Sequence, residues 1–250
     1  MNDSRVLEVK TLSFKYGRKT VLSNVDLTLG VGANVLLGRN GAGKTTLMRM
    51  LAGAARPTSG SVRFASDDID GRSRAGRRVL RTVGWLPQEF GFPPHMTTAE
   101  FVAYAAWLKE VPAADVADRV AEVLRVVDLR AKAKVRLREL SGGQLRRAGL
   151  AAAIAADPQV LILDEPTAGL DPEQRDGFHE LIRQLRSHKV TVIATHLLED
   201  VEALAETIVV VDAGSVRWTG NPRELAGAAG APEGLKGLRQ GFQAVLEGTA

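Results

Sequence analysis

The chain has 250 residues, 45% of them apolar and 25% charged, enough to bury one sizeable core without staples. Thirty-three basic against 29 acidic residues give a net charge of +4, which permits an anionic partner without demanding one. With no cysteine in the chain, disulfides, thiolate metal sites and cysteine nucleophiles are excluded.

Residues 1–5 are polar and lead into an alternating segment, so no signal peptide is expected there. Segments 6–13 and 20–29 alternate apolar and polar side chains, as half-buried strands do, and 34–37 is a short apolar strand. A glycine-rich turn then runs into a helix over 44–52. Strands are predicted at 61–65 and 82–86. Between them, Arg72, Arg74, Arg77, Arg78 and Arg81 read as a solvated helix face, with anionic lipid or an acidic partner as the alternative. From 88 to 157 the pattern changes, and 98–109, 113–127 and 143–155 all carry helical spacing. The β-branched run at 160–163 is typical of a strand buried on both faces. Helix, strand and helix follow at 172–186, 190–195 and 197–205. Segments 207–211 and 215–219 close as a hairpin around Ala213-Gly214. The tail, 226–250, is rich in Ala and Gly, with a short helix predicted over 235–246 and no function read from it.

Alternating strands and helices imply an α/β fold with a largely parallel sheet. The core is assigned to 1–87 and 158–225, with a helical insertion at 88–157. No run approaches the ~18 apolar residues that a membrane-spanning helix needs, so the chain is expected to be soluble, and any membrane role must come through a partner.

The turn Gly38-Arg39-Asn40-Gly41-Ala42-Gly43-Lys44-Thr45-Thr46 follows a predicted strand and opens a predicted helix. A loop that wraps a triphosphate with its backbone N–H groups has no room for bulky side chains and needs cheap positive φ, hence the glycines. The helix starting near Lys44 turns its positive dipole end toward the phosphates. Lys44 adds a charge that reaches the β- and γ-phosphates, and Thr45 offers a hydroxyl to magnesium.

Val160-Leu161-Ile162-Leu163-Asp164-Glu165 is an apolar strand ending in two acids. Asp164 is placed to hold the magnesium, and Glu165 to polarise the attacking water. Phosphoryl transfer depends mainly on positioning and charge neutralisation, which such a pair opposite the cradle supplies.

A second anion-binding turn, Leu140-Ser141-Gly142-Gly143-Gln144, opens another helix. One nucleotide wrapped by the first turn has no need of the second, so the second is expected to grip a nucleotide held by a different copy.

Over about 6–225 the sequence resembles the ATP-binding subunit of an ABC (ATP-binding cassette) transporter, for which Leu-Ser-Gly-Gly-Gln is the signature. The resemblance implies a P-loop NTPase core with antiparallel N-terminal strands and an inserted helical subdomain. It implies ATP and Mg²⁺ as cofactors and a second ATP-binding subunit, identical or not, joined head-to-tail. It further implies that Tyr16 stacks on adenine and that Gln88, in Leu86-Pro87-Gln88, reaches the magnesium and the attacking water. Asp171, in Ala168-Gly169-Leu170-Asp171, would communicate between the two sites; without the resemblance, Asp171-Pro172 reads as a helix cap. His196 would contact the γ-phosphate and orient Glu165, while Ser141 and Gly143, within the turn completed by Gly142 and Gln144, would bind γ-phosphate across the dimer. Arg39 stands where the family more often has proline, and its side chain is expected to point outward.

The insertion and the loop at Gln88 would form the socket for an integral membrane permease encoded as a separate chain, placing the protein at the cytoplasmic face of the membrane. The stretches 86–100 and 195–202 resemble exporters of the ABC-2 type. The competing reading is a soluble ABC ATPase acting on nucleic acid or ribosomes. One cassette, no heptad run and no cysteine speak against that reading, so no specific nucleic acid is expected.

Overall fold

The computed structural model describes residues 6–69 and 71–249. The polar start at 1–5, on which the signal-peptide reading rests, lies outside the described residues. Among the described residues, no helix is long and apolar enough to cross a membrane.

Two sheets organise the described residues. The first is antiparallel, in the order β2-β1-β4-β5, from β1 (Leu7–Tyr16), β2 (Lys19–Leu29), β4 (Ser59–Phe64) and the short β5 (Asp67–Asp68). The second contains β3 (Gly32–Leu37), β6 (Val83–Leu86), β7 (Val160–Asp164), β8 (Val190–Thr195), β9 (Thr207–Asp212) and β10 (Ser215–Gly220). Their order is β10-β9-β3-β8-β7-β6, parallel throughout except for the β9–β10 hairpin.

β3, β7 and β8 are buried at every position, which explains their unbroken apolar runs. Their alternate residues serve different cores. Leu161 and Leu163 face one that includes the helical insertion. Val160 and Ile162 face the other, with the antiparallel sheet and α1 (Lys44–Leu51). The register sets Leu37 beside Thr195, Asp164 beside Ala194, and Leu86 beside Leu163. The carboxyl ends of four parallel strands therefore finish along one edge, where open α/β sheets bind ligands.

The insertion carries α3 (Thr98–Leu108), α4 (Val116–Val126) and α5 (Gly142–Ile154). Thr97 and Glu100 form a capping box that starts α3. Just beyond the far end of α3, Lys109 Nζ donates to the carbonyls of Leu80 (2.6 Å) and Val83 (2.7 Å), stitching the insertion to the core. Burial lowers the pKa of this amine.

The helix α2 (Arg74–Arg81) was anticipated only as an arginine-bearing face; its arginines are exposed, and Arg81 pairs with Glu110. Thr82, read as strand, instead ends this helix, its hydroxyl donating to Val79 O at 2.8 Å. Helices α6 (Pro172–Leu185) and α7 (Leu198–Leu204) follow the expected order. Two closing helices, α8 (Pro222–Gly227) and α9 (Leu235–Glu247), complete the described chain. α9 packs on α7, α8, β9 and β10, and contributes Leu238 and Val245 to the main core.

Candidate nucleotide site

β3 delivers the glycine-rich turn and α1 leaves it. Gly41 and Gly43 take φ of 83° and 102°, which L side chains rarely adopt, so glycine at these two positions is a backbone requirement. Asn40, Gly41, Gly43, Lys44, Thr45 and Thr46 line one side of a cleft of about 360 Å³. Gln88, Glu165 and His196 line the other, brought there by the ends of β6, β7 and β8. Ala42 is buried, and its carbonyl accepts from Gly214 N, which anchors the turn to the β9–β10 hairpin. Gly38 sits equally close to the sheet, a Cβ there falling 2.3 Å from Val211 O. Arg39 is exposed, as its expected outward direction requires.

Lys44 is 6% exposed. Its Nζ donates to Gly38 O (2.7 Å) and Arg39 O (3.3 Å) and lies 3.7 Å from Glu165 Oε1. Burial lowers its pKa, against the opposing pull of Glu165 and Asp164. The amine is thus held at the mouth of the turn, aimed where a phosphate would lie.

Asp164 is not in the lining of this cleft but in that of an adjoining cavity, which shares Thr45 and Gln88 with it. Its Oδ1 accepts from the Thr45 hydroxyl at 3.4 Å, and its Oδ2 is buried with no hydrogen-bond partner. Burial raises the pKa of this carboxyl, with the Thr45 hydrogen bond opposing. An orphaned carboxylate oxygen beside a hydroxyl is what a hard divalent cation completes. Among the described residues, no cluster of three or more His, Cys, Asp or Glu could cage a metal unaided. This sparse donor set suits Mg²⁺, which keeps waters and shares phosphate oxygens. Thr45 and Asp164 would hold it, with the Gln88 amide lining the same cavity wall.

Glu165 sits one residue past β7 with φ 47°, a left-handed pose unusual for this residue type. Its N–H donates to Ala194 O (2.9 Å), locking the turn to the neighbouring strand. The carboxylate meets His196 Nδ1 at 2.9 and 3.0 Å. The acid is 6% exposed, whereas the His196 side chain is 42% exposed, so the imidazole reaches solvent while the acid is sheltered.

Not every expected residue gathers here. Tyr16 lies at the end of β1, half-exposed and outside the lining of the cleft. It packs edge-on against Phe14 at 4.7 Å and accepts from Arg49 Nη1 at 3.3 Å. Ser141, Gly143 and Gln144 line a separate cleft of about 240 Å³ that shares no residue with the first. Ser141 and Gln144 form a capping box, Ser141 Oγ accepting from Gln144 N (3.3 Å) and Gln144 Oε1 from Ser141 N (3.2 Å). Gly142 forms the first turn of α5 behind it. Asp171 caps α6, accepting from Gln174 N at 2.8 Å, which is the role its sequence position alone gives. Gln174 crosses to the signature turn, since a Cβ on Gly143 would fall 2.6 Å from its Oε1.

One supporting group escaped the sequence reading. Asp200 is fully buried on α7. Its Oδ2 accepts from the Thr167 and Thr195 hydroxyls and its Oδ1 meets His179 Nε2, each at 2.7 Å. Burial pushes this carboxyl up, but the hydrogen bonds from His179, Thr167 and Thr195 outweigh it and hold the pKa below the ordinary range. Thr167 lies two residues past Glu165, and Thr195 directly precedes His196. One carboxylate therefore ties together the two turns that carry the acid and its imidazole.

A protein-family model described as ABC transporter matches residues 22–168, more than half of the chain. The iron(III) import ATP-binding protein of Vibrio cholerae is 34% identical over 90% of this chain and 64% of its own length, so the chain spans less than two thirds of that relative. The Nod factor export ATP-binding protein I of Cupriavidus metallidurans is 36% identical over 88% of this chain and 72% of its own length. Among solved structures, a dimeric bacterial ABC transporter cassette superposes with a TM-score of 0.78 at 24% identity, over 86% of this chain and 98% of that one.

Proposed function

The chain belongs to the ABC transporter family, and from that premise we propose that it binds and hydrolyses magnesium-ATP as the motor subunit of a transporter, working as a head-to-tail pair of cassettes. The observation that carries this reading is the split between two clefts. Cradle, Glu165 and imidazole line one, and the signature turn lines another with which it shares no residue. A phosphate-gripping helix start in a cleft apart from the cradle supports a second copy as the source of its nucleotide.

In this reading, backbone N–H groups from 38 to 46 and the Lys44 amine hold the triphosphate. Thr45, Asp164 and Gln88 would hold magnesium, which would supply charge neutralisation for the phosphates. Glu165 accepts the proton of the attacking water, and His196 fixes the direction of that carboxylate. Tyr16 reaches the adenine, and 141–144 of the partner copy close over the γ-phosphate. Closing excludes water and completes the site, so that binding itself drives the conformational stroke. A separate membrane subunit seated at Gln88 and the helical insertion converts that stroke into transport.

Export is proposed on the resemblance of 86–100 and 195–202 to ABC-2 exporters. The two relatives, at 34% and 36% identity, act in opposite directions and do not choose between them.

The Glu165→Gln variant keeps the shape of the site and removes the base. In Mg-ATP it is expected to lose turnover by 10²-fold or more and to run as a dimer by light scattering. A variant that stays monomeric with ATP bound contradicts the paired cassette.

A further inference from the structure

Arg146 lies in the second turn of α5, five residues after Ser141, and is 8% exposed. A guanidinium has five N–H donors, and here every one ends on a main-chain carbonyl. Nε donates to Pro166 O at 3.1 Å. Nη1 donates to Pro87 O (2.7 Å) and Gln88 O (2.9 Å), and Nη2 to Asp164 O (2.7 Å) and Glu165 O (2.9 Å).

These carbonyls belong to two segments. One is the end of β6, which presents Gln88. The other is the end of β7 and the turn beyond it, which present Asp164 and Glu165. The planar fork of an arginine spans both at once; a lysine, with three donors on one atom, does not. Burial lowers the pKa of this group to about 10, so it stays charged at neutral pH. A buried cation satisfied by main-chain carbonyls is a weak device for stability, since a well-packed apolar side chain often does as well. What it supplies is relative position.

Resting on the paired-cassette reading above, we propose that Arg146 is a positioning residue for hydrolysis. It sets Gln88 against Asp164 and Glu165 and links both to the signature turn of its own helix. The first turn of α5 is stiffened by the Ser141–Gln144 box, so a displacement at 141–144 moves the guanidinium and, with it, all five carbonyls. Engagement of the signature turn by one nucleotide is thereby felt at the acids that act on the other.

The test compares Arg146→Gln and Arg146→Lys with Arg119→Ala. Arg119 donates to Ile154 O and Ala155 O at the opposite end of α5, so its loss loosens the same helix without touching the cleft. Both Arg146 variants are expected to bind ATP within about 3-fold of the parent and to lose 30- to 100-fold in kcat, with no rescue by lysine. Arg119→Ala should melt lower yet keep kcat within about 2-fold. Combined with Ser141→Arg, Arg146→Gln should add little further loss, because both break one line of communication. The proposal is overturned if lysine restores more than half of kcat, if Arg119→Ala loses kcat in step with stability, or if the double variant loses the product of the single losses. A parent protein that neither turns over ATP nor forms a dimer as Glu165→Gln points instead to failure of the motor reading.

Discussion

At the scale of single residues, the site combines groups that are costly to fold with groups that need one another. Asp164 is the clearest case, with one carboxylate oxygen buried and unpartnered. Its pKa is raised by burial, so its contribution to stability is greatest below the unfolded carboxylate pKa and is lost as pH rises through the folded value. Asp164→Asn removes that burden. Without nucleotide, this variant should melt about 2–4 °C above the parent at pH 7, the shift that ~1 kcal/mol gives in a domain of this size. The gain should shrink toward pH 4, and Mg-ATP binding should weaken in the same preparation. Lower melting of the variant at pH 7 would show that the carboxylate is satisfied after all. The legibility of such residues was uneven. Lys44, Thr45 and the acid pair announce themselves through spacing and flanking strands. Arg146 and Asp200 do not, because their partners are main-chain carbonyls 18 to 59 positions away or side chains 5 to 33 positions away, and such bonds leave no periodic trace.

Among elements, the buried strands were readable because unbroken β-branched runs have few other uses, and α2 was readable as a charged helix face, whereas α8 was not. α2 carries four arginines in eight residues, so its charge was the visible signal, while Val79 on its other side is buried in the core. α8 has six residues, too few for periodicity, although Asn221, Pro222 and Glu224 spell a capped start. Tyr16 carries its role on the resemblance alone: its ring lies at the end of β1 beside Arg49, outside the lining of the cleft that the phosphate-binding turn forms. The closing helices are fitted tightly enough to test. A Cβ on Gly241 would fall 1.7 Å from Leu225 O, main chain that cannot yield cheaply. Gly241→Ala should therefore cost about 1–3 kcal/mol, measured as a lower denaturant midpoint, with ATP affinity unchanged. An unaltered midpoint would mean that α9 rides loosely on the core.

At the scale of the whole molecule, no helix among the described residues is long and apolar enough to cross a bilayer, so the motor proposed above calls for a membrane partner. Affinity capture of tagged protein from detergent-solubilised native membranes should recover a polytopic membrane subunit in stoichiometric amount. Recovery of ribosomes or nucleic acid alone would move the protein to a different branch of its family. One further consequence concerns the lineage rather than the molecule. Glu165 occupies a left-handed backbone pose that costs an ordinary L-residue about 1 kcal/mol and that Gly, Asn and Asp tolerate better. If Glu165 is the base proposed above, the replacements that most relax this turn are ones that remove it. On that reading, mutational drift would run from working motor toward more stable, inert copy, and the acid would endure only where selection on transport opposes that slope.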